Sequence, residues 1–197
     1  MLLSHRGVTV VTLVGSRSRG EATALSDWDF EVGTSSLPVL EPELEHLVEQ
    51  MGGLACQWDP YGEWRTFMVM LAGATKVDLV FRVLQPPGVP DPWEISLPTL
   101  ARVDHHFWDW TLWLGSKTLR GETQLIEAEL QRMSRHLLGP LGSPQVPTSL
   151  LEAVRAYRAG RAAAEERLGV SVPPRIGDEV LARMRAVLGE RLEAPPG

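Results

Sequence analysis

The sequence predicts an α/β (α+β) protein, with a mixed sheet and interleaved helices in the first half of the chain and a helical bundle in the second. Three observations carry that expectation. Short β-branched runs alternate with helix-period apolar residues as far as Val83, a proline-rich stretch from Gln85 to Pro98 then interrupts all periodicity, and beyond it apolar residues recur at helical spacing. The division that follows is 1–96, including the proline-rich linker, and 97–197 as a helical domain.

Val8 to Val14 (Val-Thr-Val-Val-Thr-Leu-Val) is expected to be a buried strand ending at Gly15, because nothing more polar than threonine interrupts it. Trp28 to Val32 is a second strand, with Asp27 and Asp29 on one face and Trp28 and Phe30 turned to the core. Leu40, Leu44, Leu47, Val48 and Met51 recur at helical spacing, with Pro42 suited to a first turn and Gly52-Gly53 as the stop. Leu54 to Trp58, Trp64 to Leu71 and Lys76 to Val83 read as three strands, separated by turns at Asp59-Pro60-Tyr61-Gly62 and Gly73-Ala74. Leu100, Val103, Phe107, Trp110 and Leu114 then form one helical stripe. Further helices are expected from about Glu122 to Leu138, Ser149 to Leu168 and Asp178 to Glu193, broken by Gly139-Pro140 and Pro173-Pro174.

Composition narrows the function. With 197 residues, 44% of them hydrophobic, the chain can bury a core without disulfides or a structural metal, and Cys56 alone forms neither an internal disulfide nor a cysteine-based zinc site. No apolar stretch is long enough for a membrane span or a signal peptide, so a reducing cytoplasm is the expected compartment. A net charge of -6 argues against a sequence-independent grip on nucleic acid. The acidity is concentrated in residues 1–96, which hold 13 acidic and 6 basic side chains, and acids gathered there would favour a divalent cation or a cationic substrate.

The sharpest local feature is Val14-Gly15-Ser16 followed, ten residues on, by Asp27-Trp28-Asp29-Phe30. Two carboxylates on one strand face repel unless a cation lies between them, and an oxygen-rich pair suits Mg²⁺. Gly15 and Ser16, between a strand and a helical turn, offer backbone N–H groups and a hydroxyl to a phosphate, with Arg17 and Arg19 adding positive charge. Asp78 lies in the apolar strand Lys76-Val77-Asp78-Leu79-Val80-Phe81, where an acid is costly unless paired or metal-bound. Together the three acids and the Gly-Ser turn would make a two-metal site for phosphoryl or nucleotidyl transfer.

Gly-Ser-Arg-Ser-Arg-Gly-Glu-Ala-Thr-Ala-Leu-Ser-Asp-Trp-Asp-Phe-Glu-Val, residues 15–32, closely resembles the signature of nucleotidyltransferases of the DNA polymerase β superfamily, and its Gly-Ser-Arg-x-Arg-Gly form is most similar to the small-molecule enzymes that modify aminoglycosides and lincosamides. The resemblance covers roughly residues 8–83. It implies a mixed-sheet nucleotidyltransferase domain that uses two Mg²⁺ ions and ATP or another NTP to transfer a nucleoside monophosphate to a hydroxyl of a small molecule, as in antibiotic resistance. It assigns Gly15 and Ser16 to the phosphate loop, Asp27 and Asp29 to the metals, and Asp78 to the third carboxylate, which binds metal and helps deprotonate the acceptor. Lys117 resembles a lysine that some members direct at the triphosphate. Where some aminoglycoside enzymes place an acidic base one turn before it, this chain has Trp113, with Asp109 a further turn back.

Each assignment has a plainer counterpart. Arg17 and Arg19 suit a solvated loop as well as a triphosphate, and Lys117 suits a helix-end surface charge. Asp104, His105, His106 and Asp109 lack a third ligand at matching spacing, which favours a surface or hydrogen-bonded role over zinc. Trp108, Trp110 and Trp113 are core residues or the lining of an acceptor pocket or homodimer interface. The expected enzyme holds its acceptor in a cleft between the two halves. The alternatives are a regulatory nucleotidyltransferase module that AMPylates or caps a protein partner, as in toxin–antitoxin pairs, and a non-catalytic nucleotide sensor, against which the intact Asp27, Asp29 and Asp78 speak.

Overall fold

Residues 7–59, 62–85 and 92–195 are described in the computed structural model. They fall into two units, one of residues 7–22 and 26–85, the other of residues 23–25 and 92–195. The expected turn at Pro60-Tyr61 and residues 86–91 of the expected linker lie outside the described residues.

In the first unit, β1 (Val8–Val14), α1 (Gly15–Ser18), β2 (Trp28–Thr34), α2 (Leu37–Gln50), β3 (Ala55–Trp58), β4 (Trp64–Leu71) and β5 (Thr75–Leu84) follow the chain in that order. The sheet order is β1-β2-β5-β4-β3. β2 and β5 run parallel, and the other neighbouring pairs are antiparallel. A parallel pair needs a long crossover, which α2, β3 and β4 supply here. Alternation along each strand then separates two faces. One carries Val32, Phe67, Val69, Leu79 and Phe81, packed with Leu37, Leu40, Leu44 and Val48 of α2, and the other carries Asp29, Lys76 and Asp78 beside the buried Met68 and Met70.

Two expectations for this unit are corrected. β1 is a strand with the expected bounds, but it is the edge of the sheet: none of its residues is fully buried and Val10 is 52% exposed. An unbroken β-branched run reports strand propensity, and which strands flank it is decided elsewhere in the chain. On its inner side Val11 lines a cavity of about 330 Å³ with Phe30, Leu44, Val48, Val77 and Leu79, so α2 does not close over this end of the sheet. Trp28 is not a core residue. Its ring lies over Phe30, 6.3 Å between centroids, and under the Arg17 guanidinium, leaving it 37% exposed.

The second unit is helical: α3 (Leu100–Leu119), α4 (Thr123–Met133), α5 (Leu150–Leu168) and α6 (Arg175–Leu188). The helix expected to run unbroken to Leu138 instead changes to a π turn over Ser134–Leu138, and α6 starts a few residues before Asp178. α5 shows why its bounds were legible. Ser149 accepts a hydrogen bond from the Glu152 backbone N–H, Glu152 reaches back to Thr148, and left-handed Gly169 ends the helix. No helix among the described residues is long and apolar enough to cross a membrane.

The core of this unit contains a charge. Asp104 of α3 is fully buried, and its Oδ1 accepts from the Trp108 indole (3.1 Å), the Tyr157 hydroxyl (2.6 Å) and the Arg161 guanidinium (2.9 Å). Burial and the neighbouring Asp104 charge push the Tyr157 phenol far above its usual range, so it stays a donor. Phe107 stacks on Tyr157 at 3.8 Å, and Gly177 of α6 leaves room for the Trp108 ring, which any Cβ there would strike. His105, His106 and Asp109 are buried as well, which excludes the surface reading of that cluster. Lone burial of an acid is costly, whereas burial with converging donors is tolerable. Arg161→Met should therefore destabilise the protein by on the order of 3 kcal/mol in urea unfolding, because it leaves the Asp104 carboxylate without its countercharge. A change below 1 kcal/mol, roughly that of an exposed pair, would show that Asp104 does not depend on that charge.

Candidate active site

Val77 and Leu79 point to the apolar face, which turns Asp78 to the other; Phe30 does the same for Asp29. In the β2–β5 ladder Asp29 and Asp78 are direct partners on adjacent strands. Asp27 precedes β2 by one residue and keeps the parity of Asp29. As a result, one carboxylate oxygen from each of Asp27, Asp29 and Asp78 lies within 4.8 Å of the others.

The turn after β1 is fitted to this group. Val14 pairs with Asp29, and the next residue, Gly15, has φ +68°. A Cβ on Gly15 would overlap the Asp29 carboxylate, so glycine is required both by backbone conformation and by space. Ser16 is buried, and the loop closes on itself through the Glu21 N–H to Ser16 carbonyl bond of 2.9 Å.

The two loop arginines differ. Arg17 donates from Nε to the Asp27 carbonyl (2.8 Å) and from Nη2 to the Ser26 carbonyl (2.6 Å), while its plane covers Trp28 at 4.2 Å; it fixes the backbone that presents Asp27. Arg19 pairs with Glu21 at 2.7 Å with both side chains more than half exposed. Lys76, which the sequence reading passed over, sets its ammonium 3.0 Å from Asp78 Oδ2 and 3.4 Å from Asp27 Oδ2. The strand-parity rule that pairs Asp27 with Asp29 would have found it, since Lys76 and Asp78 are also two apart on one strand.

One ammonium against three carboxylates leaves the cluster net negative when all are ionised. Asp29 registers this: burial first, then the Asp27 and Asp78 charges, push its carboxyl up to about 6, against the opposing pull of Lys76 and Arg19.

The remaining candidates belong to the second unit. Lys117 lies in the last turn of α3, 3.4 Å from Glu122 and 5.0 Å from the centre of the Trp113 ring. The Trp110 indole donates to Glu129 at 3.0 Å, and Asp109 is buried on the same helix, one turn before Trp113.

Neither a protein-family model nor a curated protein sequence matches the chain. A solved structure does. An aminoglycoside 6-adenyltransferase from Bacillus subtilis is similar over 95% of this chain and 94% of its own, at 10% identity and a TM-score of 0.40. That likeness is too distant to bear on chemistry.

Two outcomes follow from the geometry of the site. In a chelator, folded Asp29 keeps a proton that the unfolded chain has already lost between about pH 4 and 6, so its contribution to stability falls as pH rises through that window. Asp29→Asn should remove that fall, which is read as the difference between wild type and variant in urea unfolding across pH 4 to 7; identical slopes would clear Asp29 of the titration. Gly15→Ala should leave the circular dichroism of the fold intact, cost about 1–2 kcal/mol for the left-handed backbone, and displace the Asp29 carboxylate. An alanine variant that binds Mn²⁺ as well as wild type would refute the close approach of Gly15 to Asp29.

Proposed function

We propose that this chain is a metal-dependent nucleotidyltransferase that moves a nucleoside monophosphate, AMP from ATP, onto a hydroxyl of a small molecule, with an aminoglycoside-type antibiotic as the named candidate. The observation that carries the reading is the convergence of Asp27, Asp29 and Asp78 beside the Gly15-Ser16 turn. The resemblance of residues 15–32 to the polymerase β superfamily signature supports it independently.

The donor set fits magnesium. It is all oxygen, remains net negative after Lys76 is counted, and is compact enough for its carboxylates to share an ion. Bound there, Mg²⁺ would supply Lewis-acid stabilisation of the charge that develops on the transferring phosphoryl group and the departing pyrophosphate. Asp27 and Asp29 would hold it, with Arg17 fixing the Asp27 backbone. Gly15 would let a phosphate approach the main chain, and the Ser16 hydroxyl and neighbouring N–H groups would retain the outgoing pyrophosphate. The acceptor oxygen would bond to the α-phosphorus as the α–β bridging bond breaks, its proton passing to Asp78 or through it to water.

Incubation with Mg²⁺, each NTP in turn and a panel of aminoglycosides and lincosamides should give an acceptor whose mass rises by one nucleotide, with pyrophosphate released. Asp27→Asn and Asp29→Asn should each lower turnover by more than about a hundred-fold, since loss of an outer-shell partner alone costs 10–100-fold. An AMP adduct on a protein partner, with none on any small molecule, would establish the regulatory module instead. No nucleotide transfer to any acceptor would overturn the enzymatic reading.

A further inference from the structure

Lys76 is a lysine in a place lysines avoid. Its side chain is 8% exposed on β5, with Val77 and Leu79 on the opposite face built into the apolar core. Its ammonium is 3.0 Å from Asp78 Oδ2 and 3.4 Å from Asp27 Oδ2, on carboxylates that form the candidate metal cluster. Mg²⁺ takes oxygen ligands at about 2.0–2.1 Å in near-octahedral geometry. An ion that close to Asp27 and Asp78 would meet the Lys76 charge within a few ångströms, and the two cations would compete for the same oxygens.

We propose that Lys76 is a built-in counter-ion: it occupies the cation position of the metal-free cluster and is displaced from Asp27 and Asp78 when a divalent ion binds. The inference rests on the metal site of the proposed function and adds a residue that governs its loading. Lys76 is a positioning residue, acting through the two carboxylates. In the metal-free protein it offsets their repulsion and holds them within reach of one another. Lysine suits this task better than arginine, because a compact ammonium on a four-carbon stem can rotate away from a carboxylate, whereas a guanidinium fork grips both oxygens and resists displacement.

The sign of the effect separates this role from plain scaffolding. Lys76→Met keeps the unbranched stem and removes the charge. If Lys76 competes with the metal, the variant melts at a lower temperature in chelator, gains a larger rise in Tm on adding Mn²⁺, and binds Mn²⁺ in calorimetry about ten-fold more tightly than wild type. That is the effect of removing one unit charge about 5 Å from a divalent ion, even at the dielectric constant of water. Lys76→Arg keeps the charge and, by gripping the carboxylates more firmly, should bind Mn²⁺ more weakly than wild type. A scaffolding lysine predicts the reverse order, with the methionine variant weaker and the arginine variant close to wild type, and that order overturns the proposal. Should the methionine variant fail to fold, the arginine variant decides alone: affinity equal to or above wild type overturns it. A wild type whose Tm and calorimetric trace do not respond to Mn²⁺ removes the metal site itself and this inference with it. A wild type that binds Mn²⁺ as tightly as Lys76→Met removes only the role of Lys76.

Discussion

Repulsion among three carboxylates held within 4.8 Å of one another is the constraint around which the first unit is arranged. Such a group does not assemble by itself; each member must be driven there by something that gains more than the crowding costs. For Asp29 and Asp78 the drive is the burial of Phe30, Leu79 and their neighbours on the far side of the sheet, because strand alternation carries the acids to the opposite face as a consequence. For Asp27 it is Arg17, whose two hydrogen bonds to the Ser26 and Asp27 carbonyls hold the approach to β2. The parallel β2–β5 pairing puts Asp29 opposite Asp78, and the length of chain between them is what such a pairing demands.

The second unit handles a buried acid in the opposite way. Three donors from α3 and α5, one of them a guanidinium, converge on Oδ1 of Asp104. Asp27 and Asp78 instead share a single ammonium, and Asp29 is driven towards its neutral form by burial and by its companions. A carboxylate enclosed by fixed donors is already paired, while a crowded group with too little countercharge gains from the arrival of a cation.

Much of this was legible in the sequence, for identifiable reasons. The strand bounds of β1 and the α5 limits at Ser149 and Gly169 are local matters of β-branching and capping, and the side shared by Asp27 and Asp29 follows from a period of two. What was not legible depended on partners distant in the chain. β1 lies at the sheet edge because of how β2 and β5 pair, which no feature of Val8–Val14 encodes. Trp28 obeys strand parity yet stays partly exposed, because its neighbours on that face are Phe30 and the Arg17 guanidinium. For Asp104 a surface and a hydrogen-bonded role were equally readable, and Tyr157 and Arg161, more than fifty positions away, decide for the second. Lys76 was legible by strand parity, two places before Asp78 on the same strand, although nothing local shows that its ammonium also reaches Asp27.

The loop between β1 and β2 shows how two arginines in one short motif come to different ends. Arg17 spends Nε and Nη2 on backbone carbonyls in a half-buried setting and stacks on Trp28, so releasing it for a phosphate would leave the Ser26 and Asp27 carbonyls without those donors. Arg19 pairs with Glu21 in an exposed contact of the kind worth at most about 1 kcal/mol. Under the proposed function a triphosphate arriving at Gly15 and Ser16 carries several charges and three acceptor oxygens on its terminal group, enough to draw Arg19 from Glu21. The two fates follow from burial: the more enclosed guanidinium holds the backbone before β2, and the solvated one would be the one free to meet a substrate under the proposed function.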